Sequence, residues 1–568
     1  MRYLAAAIVA VLIPLHALAQ TQTASPTPGA PVGRNELFGV DLGPNLDVPG
    51  AAAMGSAWVR IPADWATLQP ARGKFAWGSL DTAVKRATDG RLNVVVVFLH
   101  TPKWAALTAD APPEVWQRQP PRDLKDWQTF VAAAGKRYRG RIAAWQVEPS
   151  LHFSVYRGTV QDYFGMLHAA RLALHGADPQ ALVVAAAPAG LDLAYVKMLL
   201  AHAGPDFDAL LIFPNGRSPE GVLEALSVIR ARVFRDTRQQ LWLSGADAIP
   251  PATGASDTEV GDEMARAAVV DAAGGVTREF WGGRALSARW GPERETLMRL
   301  LNGIRYVGWL SRGPGVYALV FTDGRAPLLA VWSTSGSVTI PLDSEGTLKI
   351  TAAGGASSPA VSRDGKPAVL AGGEPVFVQG VAPSILAEAE RNAQQAALPS
   401  PRDPAQDFSN ADEISVALGK VNTEHGLYNQ RFRTMPAGAV VPVTVEGVEA
   451  VRTDQRKDAV YVYLDVDHSF AYFVDGRADL RVTIEVHRAR APEHLGLNLL
   501  YDSMSGYRFT PWQWIDAGSG WETVTIRITD ASFTSAWGWD LAINGAGNKK
   551  EDLVVRSVSV HKVTPGAP

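Results

Sequence analysis

Val94-Val95-Val96-Val97-Phe98-Leu99 is an unbroken run of β-branched and large apolar residues. Such a run suits a strand buried on both faces, as in a parallel sheet covered by helices. Seven further segments read as strands: Phe38 to Leu42, Ala57 to Ile61, Ile142 to Glu148, Ala181 to Ala187, Phe207 to Phe213, Gln240 to Ser244 and Gly275 to Trp281. Helical patterns lie between most of them, at Leu124 to Tyr138, Val160 to Leu174, Pro219 to Val233 and Glu259 to Ala273, and Glu293 to Tyr306 follows the last. Eight β/α units predict a closed (β/α)8 barrel over residues 36–308. No glycine-rich phosphate fingerprint follows the first strand, which disfavours an open dinucleotide-binding sheet.

The pattern changes after Gly308. Tyr317 to Phe321, Leu328 to Ser333, Ser337 to Leu342, Thr347 to Thr351 and Pro375 to Val378 are short strands with Gly and Asp turns. They predict a small β-sandwich over residues 309–383. Residues 384–411 begin with a short helical pattern and pass into Pro399-Ser400-Pro401-Arg402-Asp403-Pro404, a linker composition. Strict alternation returns at Val460 to Val466 and Leu480 to Val486. A second, jelly-roll-like β-sandwich is expected over residues 412–565.

Residues 1–20 carry Arg2, an apolar run from Ala5 to Ile13, and Ala17-Leu18-Ala19, the plan of a secretory signal. The run is shorter than the roughly 20 apolar residues that span a bilayer. A periplasmic or secreted protein is expected, with no membrane span after cleavage. Residues 21–35 read as a disordered lead-in. The chain has no cysteine, which excludes disulfides, thiolate metal sites and cysteine nucleophiles. A net charge of −3 makes no electrostatic case for nucleic acid. No His/Asp/Glu cluster has metal-ligand spacing, so no metal or other cofactor is expected.

Several motifs resemble retaining glycoside hydrolases of clan A, nearest to family 39. They are Trp58-Val59-Arg60-Ile61-Pro62-Ala63-Asp64-Trp65 with Gln69-Pro70, then Phe98-Leu99-His100-Thr101-Pro102-Lys103-Trp104, and Trp145-Gln146-Val147-Glu148-Pro149. The likeness runs over roughly residues 36–380. It implies that Glu148, at the end of the fourth strand, is the general acid/base. Retaining enzymes need a second carboxyl at roughly 5 Å as nucleophile. The resemblance puts that position at Gly245, after Leu241-Trp242-Leu243-Ser244, and glycine cannot attack carbon. The fourth strand end is two residues shorter than the family pattern and lacks its Asn, and Phe213-Pro214-Asn215 replaces a His-Pro-Tyr-like triplet. Asp247 and Glu279 are the candidate replacement carboxylates.

Arg60, His100, Trp104, Trp145, Trp242 and Trp281 stand at or near strands that would line a sugar cleft. Each Trp has an alternative role in packing, Arg60 in an ion pair, and His100 in structural hydrogen bonding. In the last domain Trp512, Trp514, Trp537 and Trp539 form a candidate sugar platform, and Asp465, Asp467 and Asp502 raise the question of a structural Ca²⁺. The sequence thus points to a polysaccharide- or oligosaccharide-handling protein. It favours one that binds glycan with weak or lost hydrolysis, over an active O-glycoside hydrolase using a relocated carboxylate or an activated water. A structural envelope protein is the third reading.

Overall fold

The computed structural model describes residues 34–42, 48–147, 158–189, 193–213, 218–232, 237–244, 257–282, 288–395, 398–399, 408, 410–430, 438–467, 470–471, 478–489, 495–503, 506–531, 533, 539–548 and 551–563. Eight parallel strands close into a barrel: β1 (Asn35–Asp41), β2 (Ser56–Asp64), β3 (Asn93–Leu99), β4 (Ala144–Val147), β5 (Leu182–Ala189), β6 (Ala209–Phe213), β7 (Gln240–Ser244) and β8 (Arg278–Trp281). Phe38 pairs with Glu279, which joins the last strand to the first.

Strand alternation divides the wall into two faces. Trp58, Val95, Ala144, Val184, Leu211, Trp242 and Phe280 pack together inside the barrel. Their neighbours Val59, Val96, Trp145, Val183, Leu210, Leu243 and Trp281 face outward into the helical layer. The helix Leu124–Tyr138 is typical of that layer. Asp123 caps it by accepting from the Lys125 N–H, and its apolar face buries Trp127, Phe130, Val131, Ala134 and Tyr138. The helix Val160–Ala177 starts from a reciprocal capping box between Thr159 and Asp162.

The N-terminal end of the barrel is plugged by a charge. Arg278 lies 4.4 Å over the Trp58 ring and 3.5 Å from Glu36. Burial pushes its guanidinium down to about 10, against the pull of Glu36.

The helix expected over Glu293 to Tyr306 ends early. The observed helix is Gly291–Leu300, and Tyr306 lies in strand β9 (Arg305–Trp309). β9 pairs with β10 (Val316–Thr322), which pairs with β11 (Pro327–Ser333). The apolar residues of that segment therefore serve a sheet, not a helix face. β12 (Val338–Pro341), β13 (Ser344–Ala352), β14 (Ser357–Ser358), β15 (Val361–Arg363), β16 (Lys366–Ala371) and β17 (Val376–Val381) complete two sheets. Their orders are β14-β13-β17-β11-β10-β9 and β12-β16-β15. Val320, Val331, Ile350, Val369 and Val378 share their core. The other face of the larger sheet is continuous with the barrel's helical layer. Trp332 stacks on Tyr317 at 5.1 Å and donates to Glu220 at 2.8 Å. The helix Ser384–Gln395 packs on β9.

The remaining strands are β18 (Glu413–Ala417), β19 (Thr423–His425), β20 (Leu427–Gln430), β21 (Val441–Val445), β22 (Val448–Arg452), β23 (Tyr461–Val466) and β24 (Ala478–His487). They continue with β25 (Gly496–Ser503), β26 (Gly506–Phe509), β27 (Gln513–Trp514), β28 (Trp521–Ala531), β29 (Leu541–Asn544) and β30 (Val554–Lys562). They roll into a nearly closed antiparallel sheet in two halves, β19-β18-β30-β24-β28 and β25-β29-β23-β20. Ser503 pairs with Ala531 at one edge between the halves, and Ser415 bridges to Gly426 at the other. Val462, Leu464, Val482, Ile484, Leu497, Leu499, Ile526 and Ile543 fill the space between them. This is a β-sandwich, as the alternation predicts. No helix of the described residues is long and apolar enough to cross a membrane.

The barrel–sandwich contact carries a pH dependence. Burial pushes Asp262 up to about 6, with Glu374, Glu293 and Glu259 adding to the rise and Arg266 opposing it. A carboxyl raised in the folded state stabilises fully below its unfolded value, and that stability is lost as pH rises through about 6. Asp262→Asn is expected to raise the melting temperature at pH 8 by roughly 2 °C. At pH 4 the two proteins should melt together in calorimetry.

Candidate functional site

The inward face turns polar at the C-terminal end of the barrel. Arg60 on β2 is 1% exposed. Its guanidinium pairs with Asp41 on β1, donates to Gln146 Oε1 on β4 at 3.1 Å and donates to Ser244 Oγ on β7 at 3.0 Å. The same group lies 5.6 Å from the Phe280 ring centre on β8. Residues from four other strands thus converge on one buried cation. Burying a lone guanidinium is prohibitive, so each neighbour is a condition for Arg60 being there. In the chain, Gln146 lies two residues before Glu148, and Ser244 immediately precedes Gly245. The Arg60 cluster is the floor from which both candidate loops start.

His100 follows β3 at the rim. Its Nδ1 lies 2.8 Å from Asp64 Oδ2, and both side chains are about one-third exposed. His100 has φ 53°, a left-handed conformation that costs a non-glycine residue energy. Trp104 is half-buried beside it, donating to the Gln69 carbonyl at 2.7 Å, edge-on to Trp65 at 5.9 Å and covered on one side by Arg72 at 5.4 Å.

Three other expected cleft residues are elsewhere. Trp145 and Trp281 face outward: Trp145 stacks on Phe98 at 5.3 Å, and Trp281 meets Phe38 at 4.5 Å. Trp242 faces inward but is fully buried below the floor, wedged against Trp58 and Phe280. Glu279 is also on the outer side of the wall. It is fully buried, accepts from Trp281 Nε1 at 2.5 Å, and its charge helps burial push Asp271 on the adjacent helix well above the carboxylate range. A carboxyl behind the strand cannot reach a ligand inside the barrel. The parity of β8, in which Phe280 points inward, explains the placement. Glu148, Gly245 and Asp247 lie outside the described residues, as do Pro214, Asn215 and Trp537.

Sequence reasoning missed Asp41, Asp64, Gln146 and Ser244. Asp41 lies opposite Arg60 in a register that only the folded sheet sets.

In the last domain the four Trp candidates separate. Trp539 is 5% exposed and packs against Tyr463 and Tyr507. Trp512 is half-buried, clasped between Gly496 and Gly547, where any Cβ would collide with its indole. Trp514 is 63% exposed and edge-on to Trp512 at 5.9 Å. Asp465, Asp467 and Asp502 are buried with Asp540 on the outer face of β23, β25 and β29. Tyr428 donates to Asp467, and Gln430 to Asp465. Among the described residues no group of three or more His, Asp or Glu is placed to hold a metal ion.

A closed parallel barrel with a buried polar floor toward its C-terminal end is the architecture of a (β/α)8 protein. Comparison with solved structures gives the particular likeness. A family 39 glycoside hydrolase from the gut symbiont Bacteroides cellulosilyticus matches 61% of this chain and 81% of its own, at 16% identity and TM-score 0.50. A family 30 subfamily 8 xylanase from Clostridium acetobutylicum matches 61% of this chain and 98% of its own, at 11% identity and TM-score 0.42. A glucosidase from Croceicoccus marinus matches 94% and 98%, at 13% identity and TM-score 0.39. At these identities the first likeness speaks for the fold alone, and the other two add no argument. No protein-family model and no curated protein matches the chain.

Two substitutions separate floor from wall. Arg60→Ala removes one partner of a buried pair and should cost about 3 kcal/mol in urea unfolding. Asp271 is raised in the folded state, so the stability its neutral form gives is present at acid pH and lost as pH rises toward its folded value. Asp271→Asn should therefore flatten the fall in melting temperature between pH 5 and pH 9.

Proposed function

We propose that the protein is an exported glycan-binding protein whose barrel holds a polysaccharide or oligosaccharide over the Arg60 floor. Hydrolysis is weak or lost. The observation that carries the reading is the floor itself: Arg60, Asp41, Gln146 and Ser244 form a buried polar network at the end where such barrels bind ligand. His100 and Trp104 stand at its rim and supply a hydrogen-bonding group and an aromatic face. Glu148 is the candidate acid/base on sequence grounds, and Gly245 occupies the position where the family resemblance expects a nucleophile. The N-terminal Arg2, apolar run and Ala17-Leu18-Ala19 support export to the periplasm or beyond.

Asp41 favours a second reading. It is a partly exposed carboxylate on the inner wall, on a strand other than that of Glu148, and it is paired with Arg60. An active O-glycoside hydrolase would use Glu148 as acid and Asp41 as the second carboxylate.

Reducing-end release across a broad glycan panel, with calorimetric binding on the same panel, decides between them. The binding reading expects measurable affinity, weakened about tenfold by Trp104→Ala, and no reducing sugar. Release that is abolished by Glu148→Gln and by Asp41→Asn establishes the hydrolase. Neither binding nor release on any glycan rejects both.

A further inference from the structure

The ends of β2 and β3 lie side by side, with Asp64 opposite Leu99. Asp64 therefore meets His100, the first residue beyond β3. Its two carboxylate oxygens have separate tasks. Oδ1 accepts from the Thr67 N–H at 3.1 Å and caps the single helical turn Trp65–Leu68. Oδ2 lies 2.8 Å from His100 Nδ1. A carboxylate oxygen only accepts, so Nδ1 carries the proton of that bond. In the neutral ring the other nitrogen, Nε2, is left with a lone pair alone.

The His100 side chain is about one-third exposed, and Nε2 has no partner among the described residues. The donors nearby are committed to the protein. The Arg60 guanidinium is buried in the floor, and Trp104 Nε1 donates to the Gln69 carbonyl. His100 Nε2 and the partly exposed Asp41 carboxylate both accept.

We propose that Asp64 is a positioning residue, which holds His100 in the Nδ1–H tautomer so that Nε2 accepts a hydroxyl donated by a bound glycan. The inference rests on the reading of the barrel as a glycan site and adds the polarity of one contact. At this point the ligand is a free sugar hydroxyl, and an O-alkylated one has no proton to give. The helix cap makes the idea separable from stability. In Asp64→Asn the side chain has one oxygen, and the Thr67 N–H claims it. The amide N–H then faces His100 Nδ1, which turns acceptor, and the ring proton moves to Nε2. The mouth is offered a donor in place of an acceptor while the cap is kept.

The test is long-range ¹H–¹⁵N NMR of the full-length chain carrying ¹⁵N-histidine at pH 8, with the His100 signals assigned by their loss in His100→Gln. The wild type is expected to show a protonated Nδ1 and a bare Nε2, and Asp64→Asn the reverse. Calorimetry with cellohexaose, xylohexaose and a chitosan hexamer reads the ligand. A hexamer that binds the wild type is expected to bind Asp64→Asn at least about tenfold more weakly, with similar melting temperatures for the two proteins. A protonated Nε2 in the wild type, a tautomer unchanged in Asp64→Asn, or a changed tautomer with unchanged affinity overturns the proposal. If no hexamer binds, the glycan reading fails for these chains, and the tautomers alone uphold or reject the positioning by Asp64.

Discussion

A guanidinium buried inside a parallel barrel organises the candidate site. Arg60 has exchanged water for partners that include Asp41, Gln146 and Ser244. These partners come from β1, β4 and β7, so the network ties together strands far apart in the chain. Beneath it Trp58, Trp242 and Phe280 fill the interior, and Arg278 closes the opposite end. The barrel is a packed core that turns polar at its C-terminal end.

The same wall decides which residues can serve that mouth. Successive strand side chains face opposite ways, so Trp145 and Glu279 cannot share a face with Gln146 and Phe280. Trp145 belongs to an aromatic layer with Phe98 and Tyr138 that binds helices to the barrel. Glu279 belongs to a buried acidic pair with Asp271, whose raised protonation avoids two charges in a dry space. Tyr163 has a related task. Its hydroxyl donates to the Val147 carbonyl and accepts from the Ala186 N–H, bridging β4 and β5 one residue before Glu148.

The last domain repeats the contrast between packing and presentation. Trp539 and Trp514 look alike as residue types, yet one is sealed against Tyr463 and Tyr507 and the other faces water. Glycines at 496 and 547 let Trp512 lie against the backbone, which orients the neighbouring ring. One sheet half is held in solvent by ion pairs, while the other concentrates aromatic and acidic groups.

Eight apolar segments with intervening helices determined the barrel, because parallel strands buried on both faces need that composition wherever they occur. Period-two alternation likewise determined the final sandwich. Arg60, His100 and Trp104 were legible as candidates, and the structure places Arg60 in the buried floor and His100 and Trp104 after β3. Asp41 was not, since its importance comes from a partner on the next strand. Tyr306 was read as helical because an apolar residue fits either period until its neighbour β10 is known. The burial of Trp145, Trp242, Trp281 and Glu279 was decided by tertiary structure alone. Facing is set by register within a closed wall, and register depends on pairings between residues remote in the chain.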